Sequence, residues 1–298
     1  MIKKLLKRYY DLVDIFKKID NIQQALGRIE ARQLKNEQEI ANTEFRVYSQ
    51  WGEDGIIQHL INKIEIPNKI FVEFGVENYT ESNTRFLLQN DNWSGLVIDG
   101  SEKNIEYIKN DPIYWRYNLK AYEAFITKEN IDNLIKQNGI TGDIGLLSVD
   151  IDGNDFWVWR AIECISPRIV VCEYNSHFGD THTISVPYDE SFVRSEKHYS
   201  YIYYGASIAA LEFLGKEKGY TLVASNEAGN NIFFIRDDLM GNFKAVTAKE
   251  AYHSAQFREA RNQEGALTFD SFHENCKIIS QEQMVDVSNN KLITLGDL

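Results

Sequence analysis

The chain has 298 residues, 43% hydrophobic and 26% charged, which suits a globular protein with room for one full α/β domain and extensions. A net charge of −12 with no long basic stripe argues against a grip on nucleic-acid phosphates. No apolar run approaches the roughly 20 residues of a membrane span, and the charged start "MIKKLLKRYYDLVDIFKKID" lacks the h-region of a signal peptide. Cys164, Cys172 and Cys276 form no metal or redox motif, so reduced thiols and a cytoplasmic location are expected.

Residues 1–45 read as a long coiled-coil-like helix. Leu5, Leu12, Ile19, Leu26 and Ile40 hold one heptad position, and Ile15, Ile22 and Ile29 hold the other, with Arg8, Gln33 and Asn36 interrupting. At 1.5 Å per residue such a helix reaches roughly 50 Å. Its seam predicts a homo-oligomer; the alternatives are a helix folded back on its own domain, or one lying on a membrane through Lys3, Lys4, Lys7 and Arg8.

From residue 46 the period changes. The helical pattern "GIIQHLINKI" (55–64) ends before Pro67. Then come short apolar runs at 69–75, 94–100, 144–153, 168–175, 220–226 and 231–237, with helical stretches between the earlier ones. Continuous apolar strands alternating with helices predict a parallel sheet covered on both faces. "NEAG" (226–229) is short enough for a hairpin, so the last strand is expected to be antiparallel. With the helix 206–219 before it, this is the layout of the Rossmann-like class I methyltransferase sheet. The expected domains are the N-terminal helix, a ligand-binding domain over 46–243 with an aromatic insertion at 176–205, and a C-terminal extension over 244–298 that begins with a helix at 248–261.

In open α/β sheets ligands sit beyond the carboxyl ends of the strands, so those ends carry the candidate chemistry. "FVEFGVENYTESNT" (71–84) offers Glu73, Gly75, Ser82, Asn83 and Thr84. One glycine in place of a G-x-G-x-x-G run suits the amino-acid end of S-adenosylmethionine better than a pyrophosphate. "VIDGS" places Asp99, with Gly100 and Ser101, about 24 residues after Gly75, a spacing that suits hydrogen bonds from ribose hydroxyls. "SVDIDGNDFWVW" clusters Asp150, Asp152 and Asp155 around Gly153, a repulsive group unless a cation or amine offsets it.

"CEYNSHFG" contributes Glu173, Asn175 and His177. Asp152, Glu173 and Asn175 could supply oxygen ligands to Mg²⁺ or Mn²⁺; alternatively His177 or Asp152 acts as a general base. The insertion adds Phe192, Arg194 and Tyr201, and its Tyr188, His198, Tyr203 and Tyr204 are candidate contacts to a hydroxylated, apolar-faced acceptor such as a sugar.

Taken in order, "SQWGEDG" (49–55), "VEFGVENYTESNT" (72–84), "LVIDGSEKNI" (96–105), "LLSVDIDGNDFWVWRAI" (146–162) and "YYGASIAALEFLGKEKGYTLV" (203–223) resemble the FkbM-like branch of S-adenosylmethionine-dependent methyltransferases over residues 46–237. The resemblance implies O-methylation of a carbohydrate in capsule, lipopolysaccharide or natural-product pathways. It also implies donor binding by Glu73, Gly75 and Asp99, with Asp150 and Asp152 near the donor's amino-acid end or the reacting centre. The family's D-x-E-G-x-E pattern carries aspartates here, which draws the charge back by about one methylene. The rival expectations are another Rossmann-like nucleotide-sugar enzyme and a non-catalytic scaffold that binds ligand passively and recruits partners through the coiled coil.

Overall fold

A computed structural model of the chain describes the backbone of residues 2–298 and the side chains of residues 14–298. The main sheet runs from β1 (Ile70–Phe74), β2 (Ser94–Asp99), β3 (Leu119–Glu123), β4 (Gly142–Val149) and β5 (Ile165–Glu173). After the two-residue β6 (Ile184–Ser185), it is completed by β7 (Tyr220–Ser225) and β8 (Asn231–Arg236). The spatial order is β3-β2-β1-β4-β5-β8-β7. The pairs from β3 through β5 are parallel, whereas β8 runs antiparallel to both β5 and β7. This is the expected class I methyltransferase layout.

The sheet forms because its strands are apolar on both faces. Val72, Leu147, Val170 and Phe234 face one packed layer, and their neighbours Phe71, Leu146, Ile169 and Phe233 face the other. Each such side chain contributes roughly 1.5–3 kcal/mol when fully buried. β3 escaped the reading of the sequence because "LKAYE" is an edge strand that buries only Leu119 and Ala121.

The strand order reverses beside β1: β2 and β3 lie to one side, β4 and β5 to the other. Main-chain hydrogen bonding cannot continue across the diverging carboxyl ends of β1 and β4, and a crevice opens there. Gly75 closes the tip of β1 at φ +64°, with its N–H donating to the Ile98 carbonyl at 3.0 Å. A β-carbon here would meet the Asp150 carbonyl oxygen at 1.8 Å, so the residue must be glycine for β1 and β4 to approach as they do.

The N-terminal helix spans Ile2–Gln33, followed by 3-10 turns at Leu34–Asn36 and Ile40–Thr43. The heptad therefore ends within the helix. Ile40 packs on the domain core, and Asn36 lies in a turn. The expected seam positions Leu5 and Leu12 lie outside the described side chains. The expected helix at 248–261 is confined to Ala248–Ala251. β9 (Gln283–Asp286) and β10 (Lys291–Thr294) form a hairpin that adds to β6. The insertion and the C-terminal segment thereby share a satellite core. Among the described residues no helix is long and apolar enough to cross a membrane.

Candidate active site

Two hollows open at the reversal point. One, of about 200 Å³, lies beyond β1, β2 and β3, with apolar walls from Ile98, Phe125, Ile126, Ile151 and Phe192 and with Asp99 and Gly100 at its edge. The other, of about 480 Å³, lies beyond β1, β4 and β5, within the range of small-molecule sites. Gly75, Glu77 and Asp152 line both, so the hollows adjoin there.

The larger hollow is acidic. Glu73, Glu77, Glu81, Asp150, Asp152, Glu173 and Glu259 line it against Arg194 and Arg258. Asp150, Asp152 and Glu173 each bring one oxygen within 4.8 Å of the others. Burial first, and then the neighbouring carboxylates, hold Asp150 and Glu173 well above the usual carboxylate range. Oε2 of Glu173 is buried and has no hydrogen-bond partner among the described residues. An orphaned buried oxygen beside two more carboxylates is a donor set suited to a hard divalent cation.

A turn at Ile151–Asn154 carries Asp152 of this cluster. Asp152 sits at φ +55°, and buried Asp155 accepts N–H bonds from Ile151 at 2.7 Å and Gly153 at 3.0 Å. Asp155 thus shapes the turn and does not line either hollow, and burial pushes its carboxyl up to about 6. A β-carbon at Gly153 would stand 2.2 Å from the Phe192 ring, which roofs the turn. Arg194 Nη1 donates to Asp152 Oδ1 at 2.5 Å, its Nη2 pairs with Glu259, and its guanidinium lies 3.6 Å from the Tyr204 ring centroid.

The predicted donor residues divide. Glu73, Gly75, Ser82, Asn83 and Asp150 line the larger hollow, and Asp99 and Gly100 line the smaller. Glu73 accepts the Asn83 N–H at 2.8 Å and the Thr84 N–H at 3.2 Å, which pins the 82–84 loop; burial pushes its carboxyl up to about 7. Asp99 accepts from the Glu77 N–H at 2.8 Å and the Ser101 N–H at 2.9 Å, so it holds the rim shared by both hollows. Thr84 and Ser101 reach neither hollow. Thr84 is fully buried with its hydroxyl 2.9 Å from that of Tyr79, and Ser101 caps the helix Glu102–Asn110.

The remaining candidates lie outside the two hollows. His177 is buried outside both hollows, its ring stacked 4.8 Å from that of Phe272, and burial lowers its pKa to about 4. Asn175 lines neither hollow: its amide nitrogen bridges the carbonyls of Ile202 and Tyr204 at 2.8 and 2.9 Å, and its oxygen accepts the His177 N–H. Asp150, in place of Asn175, joins Asp152 and Glu173 in the carboxylate cluster. None of the four predicted acceptor contacts lines a hollow. Tyr203 donates to the Gln283 carbonyl, and it and Tyr204 are buried in the satellite core. His198 lies 2.6 Å from Ser200 Oγ, and Tyr188 pairs with Glu129.

The wall of the larger hollow instead carries Trp51 and Phe257, stacked with centroids 5.3 Å apart, together with Arg258, Asn230 and Asn231. "SQWGEDG" marks the first of these. Asp54 Oδ2 takes the N–H groups of Val47, Tyr48 and Ser49 at 2.7, 2.7 and 2.8 Å and fixes the loop that carries Gln50 and Trp51. Phe257 and Arg258 come from an irregular stretch with no local signal.

No family model and no curated protein matches the chain. Solved structures similar to it include a candidate caffeoyl-CoA O-methyltransferase from Staphylococcus aureus, 16% identical over 78% of this chain and 99% of that one, with a TM-score of 0.43. The N-terminal domain of EvdMO1 with SAH bound is 13% identical over 74% of this chain and 96% of that one, at a TM-score of 0.42. An S-adenosylmethionine-dependent methyltransferase from Clostridium acetobutylicum ATCC 824 is 10% identical over 61% and 88%, at 0.39. At these identities and TM-scores the likenesses carry no argument about activity, and the functional reading rests on the site itself.

Proposed function

We propose that the chain is an S-adenosylmethionine-dependent O-methyltransferase acting on a small, neutral, hydroxylated acceptor, with a sugar of a surface polysaccharide such as capsule as the class suggested by the resemblance to FkbM-like proteins. The observation that carries this reading is the meeting of an apolar-walled hollow with an acidic one at Gly75, Glu77 and Asp152. The smaller hollow suits an adenine with its ribose near Asp99. The larger one suits a sulfonium and an ammonium group, since seven carboxylate residues face two arginines. Without a metal ion, a pyrophosphate would meet the same field as repulsion, which speaks against a dinucleotide enzyme.

Chemically, an acceptor hydroxyl oxygen attacks the methyl carbon in line as the carbon–sulfur bond breaks, and the sulfur keeps the bonding pair. Positioning supplies most of the rate. Asp152 is the candidate base: Arg194 engages Oδ1, and Oδ2 remains to accept the hydroxyl proton. Trp51, Phe257, Asn230 and Asn231 offer a stacking surface and amide groups to a hydroxylated ring. In the alternative arrangement Asp152 is a ligand in place of a base: with Asp150 and Glu173 it would hold Mg²⁺ or Mn²⁺, which when bound polarises an acceptor oxygen.

Purified protein screened with the methyl donor against neutral glycosides and their phosphorylated counterparts tests the reading. Mass gain on neutral acceptors that is lost in Asp152→Ala supports it. A passive scaffold would yield no methylated product, and exclusive turnover of phosphorylated acceptors would overturn the charge argument. Unchanged turnover in EDTA would remove the metal and leave methyl transfer standing.

A further inference from the structure

The N-terminal helix is amphipathic in the wrong sense for a helix that only packs on its own domain. Its domain-facing side is polar or small. Gln24 donates to the Tyr48 hydroxyl at 2.8 Å and to Gln89 at 3.0 Å, and Tyr48 donates to Asp20 at 2.5 Å. At Gly27 a β-carbon would stand 2.3 Å from Val47, so helix and domain meet almost backbone to side chain there. The outward side carries Ile15, Phe16, Ile19, Ile22, Leu26 and Ile29, each between 49% and 67% exposed. A helix held to its domain by hydrogen bonds, with its isoleucines in water, is built for a second partner.

We infer that this face is a self-association surface whose occupant is the same helix of further copies of this chain. The exposed positions repeat at steps of four and three, the 3.5-residue spacing at which identical helices interlock along a supercoil. An unrelated globular surface has no reason to match that period. The open apolar area is on the order of 600 Å² per copy, which doubled in a contact reaches the lower bound of stable interfaces. Flanking charges are of both signs, with Lys17, Lys18, Arg28 and Arg32 alongside Asp14 and Glu30. Opposite signs can thus pair between copies along this face, whereas the basic cluster that would suit anionic lipid, Lys3, Lys4, Lys7 and Arg8, precedes it in the sequence. Phe16 widens the strip beyond a two-position seam, and isoleucine fills Ile15, Ile22 and Ile29, the d positions. Both features favour a bundle of more than two helices. The spacing carries the seam through Leu12 to Leu5 in the sequence.

Light scattering on the full chain at tens of micromolar tests the inference. The expected mass is three or four times the 34.5 kDa monomer, falling to one copy in the double variant Ile19→Asp with Ile22→Asp. Because both side chains are exposed in the single copy, the variant should keep the wild-type circular dichroism and S-adenosylmethionine binding, and its urea midpoint should lose only the concentration-dependent part that association adds. A monomeric wild type overturns the inference. So does an oligomer that survives the double substitution, or a monomeric wild type that binds neutral or anionic vesicles through this face. A strict two-copy mass would overturn the bundle. A failure of donor binding in the wild type would bear on the methyltransfer reading alone.

Discussion

Replacing Gly75 with alanine tests whether the junction of β1 and β4 is as tight as the structure requires. Two costs arise. The backbone at φ +64° penalises any β-carbon by about 1–2 kcal/mol. The new atom would also stand 1.8 Å from the Asp150 carbonyl oxygen, so the two strand ends must part by more than about 1 Å. Overpacking against main chain adds about 1–3 kcal/mol. Gly142→Ala isolates the first cost, because Gly142 has φ +73° and nothing within 4 Å of its would-be β-carbon. Urea unfolding should therefore show a loss of about 1–2 kcal/mol for Gly142→Ala and about 2–5 kcal/mol for Gly75→Ala. Because Asp150 moves with its carbonyl, donor affinity should fall at least about tenfold in Gly75→Ala and stay unchanged in Gly142→Ala. Equal destabilisation in the two variants, with equal donor affinity, would refute the reasoning.

Three further outcomes are expected. Arg194→Met leaves half-buried Glu259 and exposed Asp152 without their cation and should cost about 1–3 kcal/mol by urea titration, with Arg194→Lys recovering only part of it; a loss below about 0.5 kcal/mol would show that both pairs are solvent-screened. His177→Gln should leave turnover within about twofold because the ring lies outside both hollows, and a pH-dependent collapse of kcat would restore His177 as a base. Burial pushes the Asp54 carboxyl from its ordinary 3.8 up to about 6, despite the three N–H groups it accepts. Between those values the folded chain holds a proton that the unfolded chain has released, so this group's contribution to stability falls as pH rises through the window and is level above it. Wild type should lose stability relative to Asp54→Asn from about pH 4 to about pH 6; a difference that rises with pH would contradict the sign.

The central strands were legible because a sheet buried on both faces needs continuous runs such as "KIFVEF" and "RIVVCE", which no exposed element would carry. β3 was not, since an edge strand with one wet face looks like any alternating loop. Strand ends also pointed to the crevice beside β1, where Gly75, Asp99, Asp150 and Asp152 line the two hollows. Direction was what composition could not supply. The aromatic insertion sits beside the site, but Tyr203 and Tyr204 turn into the satellite core with Met284 and Ile279. Asn175 stands at the expected strand end, yet the carbonyls of Ile202 and Tyr204 take its amide before any ion could orient it. Phe257, Arg258 and Glu259 reach the site from far along the chain, and only tertiary packing reveals them.

Titration calorimetry with S-adenosylmethionine, repeated with S-adenosylhomocysteine and with NAD, tests the central claim most directly. Saturable one-to-one binding of the methyl donor and its product, with no heat from NAD, is the predicted result. Silence toward the methyl donor, or binding of NAD in its place, would contradict it.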